Sequence, residues 1–351
     1  MKSALGRRDF LRLSALSLGG LAAPSLAGLN PQDEIRGPIG LGRVTIDMIR
    51  VYNQPDSLSE RVGRLWRDDL VEIYEALPVP RRADYTPLWY RIEPGYIQST
   101  CIQRVECQRA NPVLPAIPTH GILGEVTVPY TPSYRYTSAD GWQPLYRLYF
   151  SSVHWITAIE EGPDGSLWYC LLDQLLSVRY HVNPRHLRPI PPEEYAPIHT
   201  DVPSQEKRII VSISNQTLTA YEGDQVVLHK YISSGTKQER PPAPGELPTE
   251  TPLGSFRIQT KMPSRHMGNG QLTGEIGAAE YPGVPWTMLF TEEGVALHGV
   301  YWHDCYGIAM SHGCVNMRNP HAKWLFRWTD PVFEPGDYYV RREGTRVIVT
   351  A

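Results

Sequence analysis

Five residues near the C-terminus could do nucleophilic chemistry together: His298, His303, Cys305, His312 and Cys314. A free thiol is mostly protonated at neutral pH and becomes a nucleophile when a base or positive charge lies beside it. Cys314 closes the run Ser311-His312-Gly313-Cys314. Gly313 lets the backbone turn tightly before the sulfur. N–H groups in such a turn can face a developing oxyanion. Ser311 and Asn316 can hold the loop by side-chain hydrogen bonds. The base must come from a histidine, His298 or His312, and spacing alone does not choose between them. The same residue types also bind zinc. However, no Cys-x-x-Cys clamp is present, and His312 and Cys314 flank a single glycine, an awkward bite for one tetrahedral ion. No metal or cofactor is therefore expected. A third reading is a structural Cys305–Cys314 disulfide with buried histidines.

The elements that must position these groups read as β-structure. From Lys207 to Gly235 the chain alternates apolar and polar, with turns at Ser214-Asn215 and at Glu222-Gly223-Asp224, as a three-strand meander would. The run TMLFTEEGVALHG reads as a hairpin turning at Glu292-Glu293-Gly294, which sets His298 at the end of its second strand. Asn319-Pro320 opens a short helix, and a last hairpin closes the chain at Thr350. Between Gly235 and Thr251 lies a polar, proline-rich insertion, read as a lid or as solvated slack.

The chain has 351 residues, room for two or three domains. A net charge of −3 argues against a nucleic-acid partner. Thirty-two prolines favour short strands over long helices. At the N-terminus, Lys2, Arg7, Arg8 and Arg12 precede an apolar run from Leu13 to Ala23 and small residues near Ala27. That is a secretory signal over residues 1–27, too short for a stable span. Its RRDFL stretch resembles a twin-arginine signal. The mature chain is expected to be soluble in the periplasm or the extracellular wall space, without a membrane span. Its five cysteines are an odd number for an oxidising compartment, and a Cys101–Cys107 disulfide is one possibility. Two stretches resemble each other. LGRVTI at Leu41 recurs as LGEVTV at Leu123, and PLWYRI at Pro87 recurs as SLWYCL at Ser166. They suggest two tandem β units, 38–118 and 119–197, each a small barrel with its tryptophan in the core. A linker over 198–206 and a C-terminal domain over 207–351 follow. The fold class expected is mainly β.

HGVYWHDCYGIAMSHGCVN, from His298 to Asn316, resembles the signature of the L,D-transpeptidase (YkuD) catalytic domain. TPLGSFRI, from Thr251, and YISSG, from Tyr231, resemble two further family stretches. The resemblance covers about residues 207–350, and the paired β units loosely resemble bacterial SH3-like domains. It implies a β-sandwich catalytic domain and a cell-wall enzyme. Cys314 would attack the third residue of a peptidoglycan stem peptide, release D-alanine and form an acyl-enzyme. A neighbouring stem amine would then complete the cross-link. His298 would move the proton, the Gly299 carbonyl would orient its ring, and His312 would support the site. Trp302, Tyr281 and Trp286 are candidate cleft residues. Alternatives are an L,D-carboxypeptidase passing the acyl group to water, and an inert wall-binding protein. The β units would be spacers or glycan contacts.

Overall fold

A computed structural model describes residues 37–78, 88–107, 111–238 and 248–351. The export signal expected over 1–27 and the middle of the proline-rich insertion lie outside the described residues. Among the described residues, no helix is long and apolar enough to cross a membrane. The fold is mainly β, and all five cysteines are free thiols, including Cys101, Cys107, Cys305 and Cys314.

The N-terminal half repeats one scheme of strand pairing. In the first copy, strand Gly40–Val44 pairs with Leu70–Ile73 on one side and Ile102–Val105 on the other. In the second, Ile122–Val126 pairs with Val153–Glu161 and Leu187–Pro189. Strand Met48–Tyr52 lies between Arg61–Trp66 and Tyr96–Gln98. Tyr130–Thr137 lies between Gly141–Tyr149 and Val178–Val182 in the same way. The copies differ at one place. The single strand Val153–Glu161 corresponds to two strands, Leu70–Ile73 and Glu75–Pro78, interrupted at Tyr74. That break splits the first copy into two sheets, while the second stays one seven-stranded sheet.

Each copy has its own core. Tyr90 and Tyr169 of the two LWY words sit in these cores. The tryptophans are buried as well, as expected, with Trp89 3% and Trp168 7% exposed. Trp89 meets Tyr52 edge-on at 5.5 Å and Trp168 meets Tyr134 at 5.8 Å. Neighbouring residues on a strand face opposite sides of the sheet, so the adjacent aromatics of each word are buried on different faces.

The C-terminal half is built from two five-stranded mixed sheets. One runs Gln225–Tyr231, Thr217–Glu222, Lys207–Ser212, Arg346–Thr350, Gly254–Arg257. The other runs Val315–Met317, Ala296–Gly299, Glu280–Leu289, Thr260–Gly268, Val340–Arg341. Strand Lys207–Ser212 buries every second residue, as a one-faced strand should. The helix Asn319–Trp328 carries Pro320 in its first turn and buries Ala322, Leu325 and Phe326, the spacing of one helical face. Its last carbonyls would be left unpaired inside the protein. Two buried lysines meet this end of the chain: Lys207 Nζ donates to the Trp328 carbonyl at 3.0 Å and Lys261 Nζ to that of Thr329 at 2.6 Å.

The core between these sheets also takes in Leu123, Val153, Trp155, Ile190 and Tyr195 from the N-terminal half. The segment expected as a linker is likewise docked. The Ile198 N–H donates to the Arg327 carbonyl, and His199 Nδ1 lies 2.6 Å from Glu222.

Candidate active site

His298 and Cys314 arrive on neighbouring parallel strands. Ala296–Gly299 pairs with Val315–Met317 in the register Leu297 to Val315 and His298 to Asn316. Carried back one residue, that register sets Cys314 beside Ala296, on the face that carries His298. Cys314 is half-buried, His298 is buried, and His312 is exposed.

The His298 ring is fixed by its own strand. Nδ1 lies 2.8 Å from the Gly299 carbonyl. A carbonyl only accepts, so Nδ1 carries the proton and Nε2 keeps its lone pair. Burial holds the imidazole down at about 4. The ring is therefore neutral at neutral pH, with the Nε2 lone pair free. Gly299 has no room for a side chain, because a Cβ there would lie 2.1 Å from Asn319 Oδ1.

Burial pushes the Cys314 thiol up, while a hydrogen bond from the Ala296 backbone and the charge of Arg265 pull it down. Arg265 also acts on His298. It belongs to strand Thr260–Gly268, where it pairs with Val284. Nothing in its sequence surroundings marks it, and only the sheet order brings it to the cysteine.

Three separate segments hold the cysteine loop. Ser233 pairs with Asn316 and Gly235 with Ser311 as isolated bridges. Thr251 Oγ1 donates to the Gly313 carbonyl at 2.8 Å and accepts from the Gly235 N–H at 2.8 Å. The Ser311 hydroxyl donates to the Cys314 carbonyl, and Asn316 Nδ2 meets His303 Nε2 at 3.0 Å. Gly313 has φ of +102°, a conformation that favours glycine. The insertion starts against this loop, where the Thr236 N–H donates to the Ser311 carbonyl at 3.0 Å, and its two ends are tied together. Gln238 N–H donates to Glu250, and Thr249 N–H donates to Gln238.

The aromatic residues divide. Trp302 stands 5.8 Å from the His298 ring and 4.8 Å from Tyr281, both distances between centroids. Trp302 and Tyr281 are half-buried beside the histidine. Trp286, expected at the cleft, lies in the core instead, with Phe326 at 5.5 Å. Its strand, Glu280–Leu289, is buried on both faces, so alternation does not indicate which aromatics reach the surface. Cys305 is buried, and burial pushes its thiol up to about 12, a poor nucleophile.

Residues 206–349 match the YkuD family model, the L,D-transpeptidase catalytic domain. Among solved structures, the chain is similar to an Enterococcus faecium L,D-transpeptidase determined as a cysteine-to-serine mutant, with 26% identity over 41% of this chain and 50% of that chain and a TM-score of 0.29. It is similar to the catalytic domain of an E. faecium L,D-transpeptidase, with 27% identity over 41% of this chain and 96% of that chain and a TM-score of 0.29. An L,D-transpeptidase from Mycobacterium smegmatis aligns over 80% of this chain and 99% of that chain, with 18% identity and a TM-score of 0.31. The match spans half the length of the first of these structures. No curated protein matches this sequence.

Proposed function

We propose that this chain, which carries a YkuD L,D-transpeptidase catalytic domain at residues 206–349, is a cysteine-dependent enzyme that cross-links peptidoglycan stem peptides outside the cytoplasm. One observation carries the reading: Cys314 is held on a glycine turn against the strand that carries His298, and the His298 Nδ1 proton is donated to the Gly299 carbonyl.

In this reading His298 Nε2 takes the Cys314 proton, and the thiolate attacks the carbonyl of the third stem residue. N–H groups of the turn around Gly313 face the oxyanion. The tetrahedral adduct collapses, the D-alanine amine leaves with the proton held by His298, and a thioester remains. An amine from a second stem peptide attacks that thioester, and Cys314 regains its proton. Arg265 favours the thiolate between turnovers. Trp302 and Tyr281 offer aromatic surface to the stem. Ser311, Asn316 and Gly299 hold the two reacting side chains in place. His312, at the surface, acts in support rather than as the base.

The two N-terminal units are proposed as SH3-like modules over 38–118 and 119–197, acting as spacers or contacting glycan. The segment 198–206 would join them to the catalytic domain at 207–351. Residues 1–27 would direct export through the twin-arginine route.

The test is intact-mass spectrometry of the mature chain mixed with a disaccharide-tetrapeptide, with the products analysed alongside. The proposal expects an adduct on Cys314 and a cross-linked dimer, both lost in Cys314→Ala. The adduct with tripeptide alone would reassign the second step to water, making a carboxypeptidase. No adduct on a folded protein would leave an inert wall-binding role.

A further inference from the structure

The second β unit brings three metal-ligating side chains to one point, far in sequence from the cysteine loop. Glu160, Cys170 and His181 stand on three adjacent strands, Val153–Glu161, Leu167–Asp173 and Val178–Val182. Cys170 and His181 are directly paired residues. One ligand atom from each of the three lies within 4.8 Å of the other two. Cys170 is fully buried and His181 is 6% exposed.

His181 Nε2 lies 2.7 Å from Glu160 Oε2, while its Nδ1 is buried without a hydrogen-bond partner. An unsatisfied nitrogen of that kind is costly and uncommon. Arg179 donates to the other carboxylate oxygen of Glu160 and also interacts with Cys170, so its guanidinium now stands beside two of the ligands and must give way to the cation. Trp142 packs edge-on against His181 at 4.8 Å and fixes the ring. A groove of about 410 Å³, lined by Tyr136, Trp142, Glu160, Glu161, Arg179 and His181, opens at this point.

The repeat supplies an internal comparison. In the first unit Arg91 faces Tyr96 on the strands that follow its own LWY word, where the second unit has Cys170 facing His181. The same strand pairing therefore forms without a thiol and an imidazole, so the fold does not require them.

We infer that Glu160, Cys170 and His181 form a binding site for a borderline-soft divalent cation, with zinc as the best match to a sulfur, nitrogen and oxygen donor set. On binding, the Cys170 thiol gives its proton to solvent and one His181 ring nitrogen supplies a ligand atom. Three protein ligands leave a fourth position facing the groove, open to water or to an anionic group. This inference is independent of the chemistry proposed at Cys314.

Cobalt(II) titration of the mature full-length chain tests it, because a thiolate ligand gives near-ultraviolet charge-transfer absorption. Equilibrium dialysis with Zn²⁺ gives the stoichiometry. The expected result is one ion per chain and a charge-transfer band that is lost in Cys170→Ala and kept in Cys314→Ala. His181→Ala and Glu160→Gln should weaken binding roughly tenfold or more. Circular dichroism checks that each variant folds, and Glu160→Gln, at a half-exposed position, remains informative if Cys170→Ala does not fold. Absence of stoichiometric uptake by the unaltered chain would overturn the inference. So would a band that survives Cys170→Ala and disappears in Cys314→Ala, since the ion would then sit on the cysteine loop.

Discussion

At Cys314, burial opposes the ionisation that the proposed chemistry needs. The thiol is raised by desolvation, and the Ala296 backbone and Arg265 offset part of that cost. Arg265→Gln should therefore shift the pH midpoint of Cys314 alkylation upward and slow acylation, as measured by iodoacetamide labelling followed by mass spectrometry. An unchanged midpoint would remove Arg265 from the site. His298 faces the opposite problem, since it must stay neutral to accept a proton. Burial holds it at about 4, against an ordinary value of 6.5. Between those two values the unfolded chain binds a proton that the folded chain does not, so stability rises with pH across that window. The contribution is fully present above about 6.5 and is lost as pH falls toward about 4. A shift of this size corresponds to roughly 3 kcal/mol. Chemical denaturation should show unfolding free energy falling from pH 6.5 to 4, with a shallower slope in His298→Asn. In the same variant acylation should fall roughly 100- to 10,000-fold, as loss of a general base implies. Near-wild-type acylation in His298→Asn would move the base role to His312.

Among the elements, the cysteine loop is held by Thr251. Its hydroxyl serves both the Gly235 N–H and the Gly313 carbonyl. Thr251→Val keeps the shape and leaves two buried backbone groups unpaired, which costs roughly 1–3 kcal/mol for each such group. The expected outcome is a lower melting temperature and slower acylation, with Thr251→Ser restoring both. A Thr251→Val protein as active as the original would show that the loop holds itself. The same elements show what was legible beforehand. The runs around Tyr231, Thr251 and Ser311 stood out as words, and so did the hairpin that places His298, because turn residues and alternation are local signals. Their joining was not visible, because Thr251 reaches Gly313 across 62 positions and nothing local encodes the contact. Arg265 went unseen for the same reason. Trp286 was misplaced because a strand buried on both faces carries no alternation. The repeat was legible as two pairs of short words, but the break at Tyr74 that divides only one copy into two sheets was not.

Across the whole molecule, the first β unit reaches the neighbourhood of His298 through Arg43. This guanidinium is 2% exposed, pairs with Asp68 at 2.8 Å, and donates to the Tyr301 carbonyl at 2.9 Å. It also lies 4.0 Å over the Tyr149 ring, which belongs to the second unit. Arg147 of that unit holds the other oxygen of Asp68. The three parts of the chain thus meet at Tyr301, whose neighbour Trp302 stands beside His298. The second unit also gives Leu123, Val153 and Trp155 to the same core that holds Trp286, Leu297 and Val315. The C-terminal half is therefore not a closed body by itself. Removing residues 1–206 would expose those side chains, at about 25 cal/mol for each Å² of apolar surface uncovered. Residues 207–351 alone should melt well below the full chain and bind a hydrophobic dye, while Arg43→Ala in the full chain should cost roughly 3–5 kcal/mol by leaving Asp68 buried with one fewer partner. If the truncated chain melts with the full chain and acylates at the same rate, the N-terminal units are passengers. If it folds but acylates slowly, the route through Arg43, Tyr301 and Trp302 sets the geometry at His298.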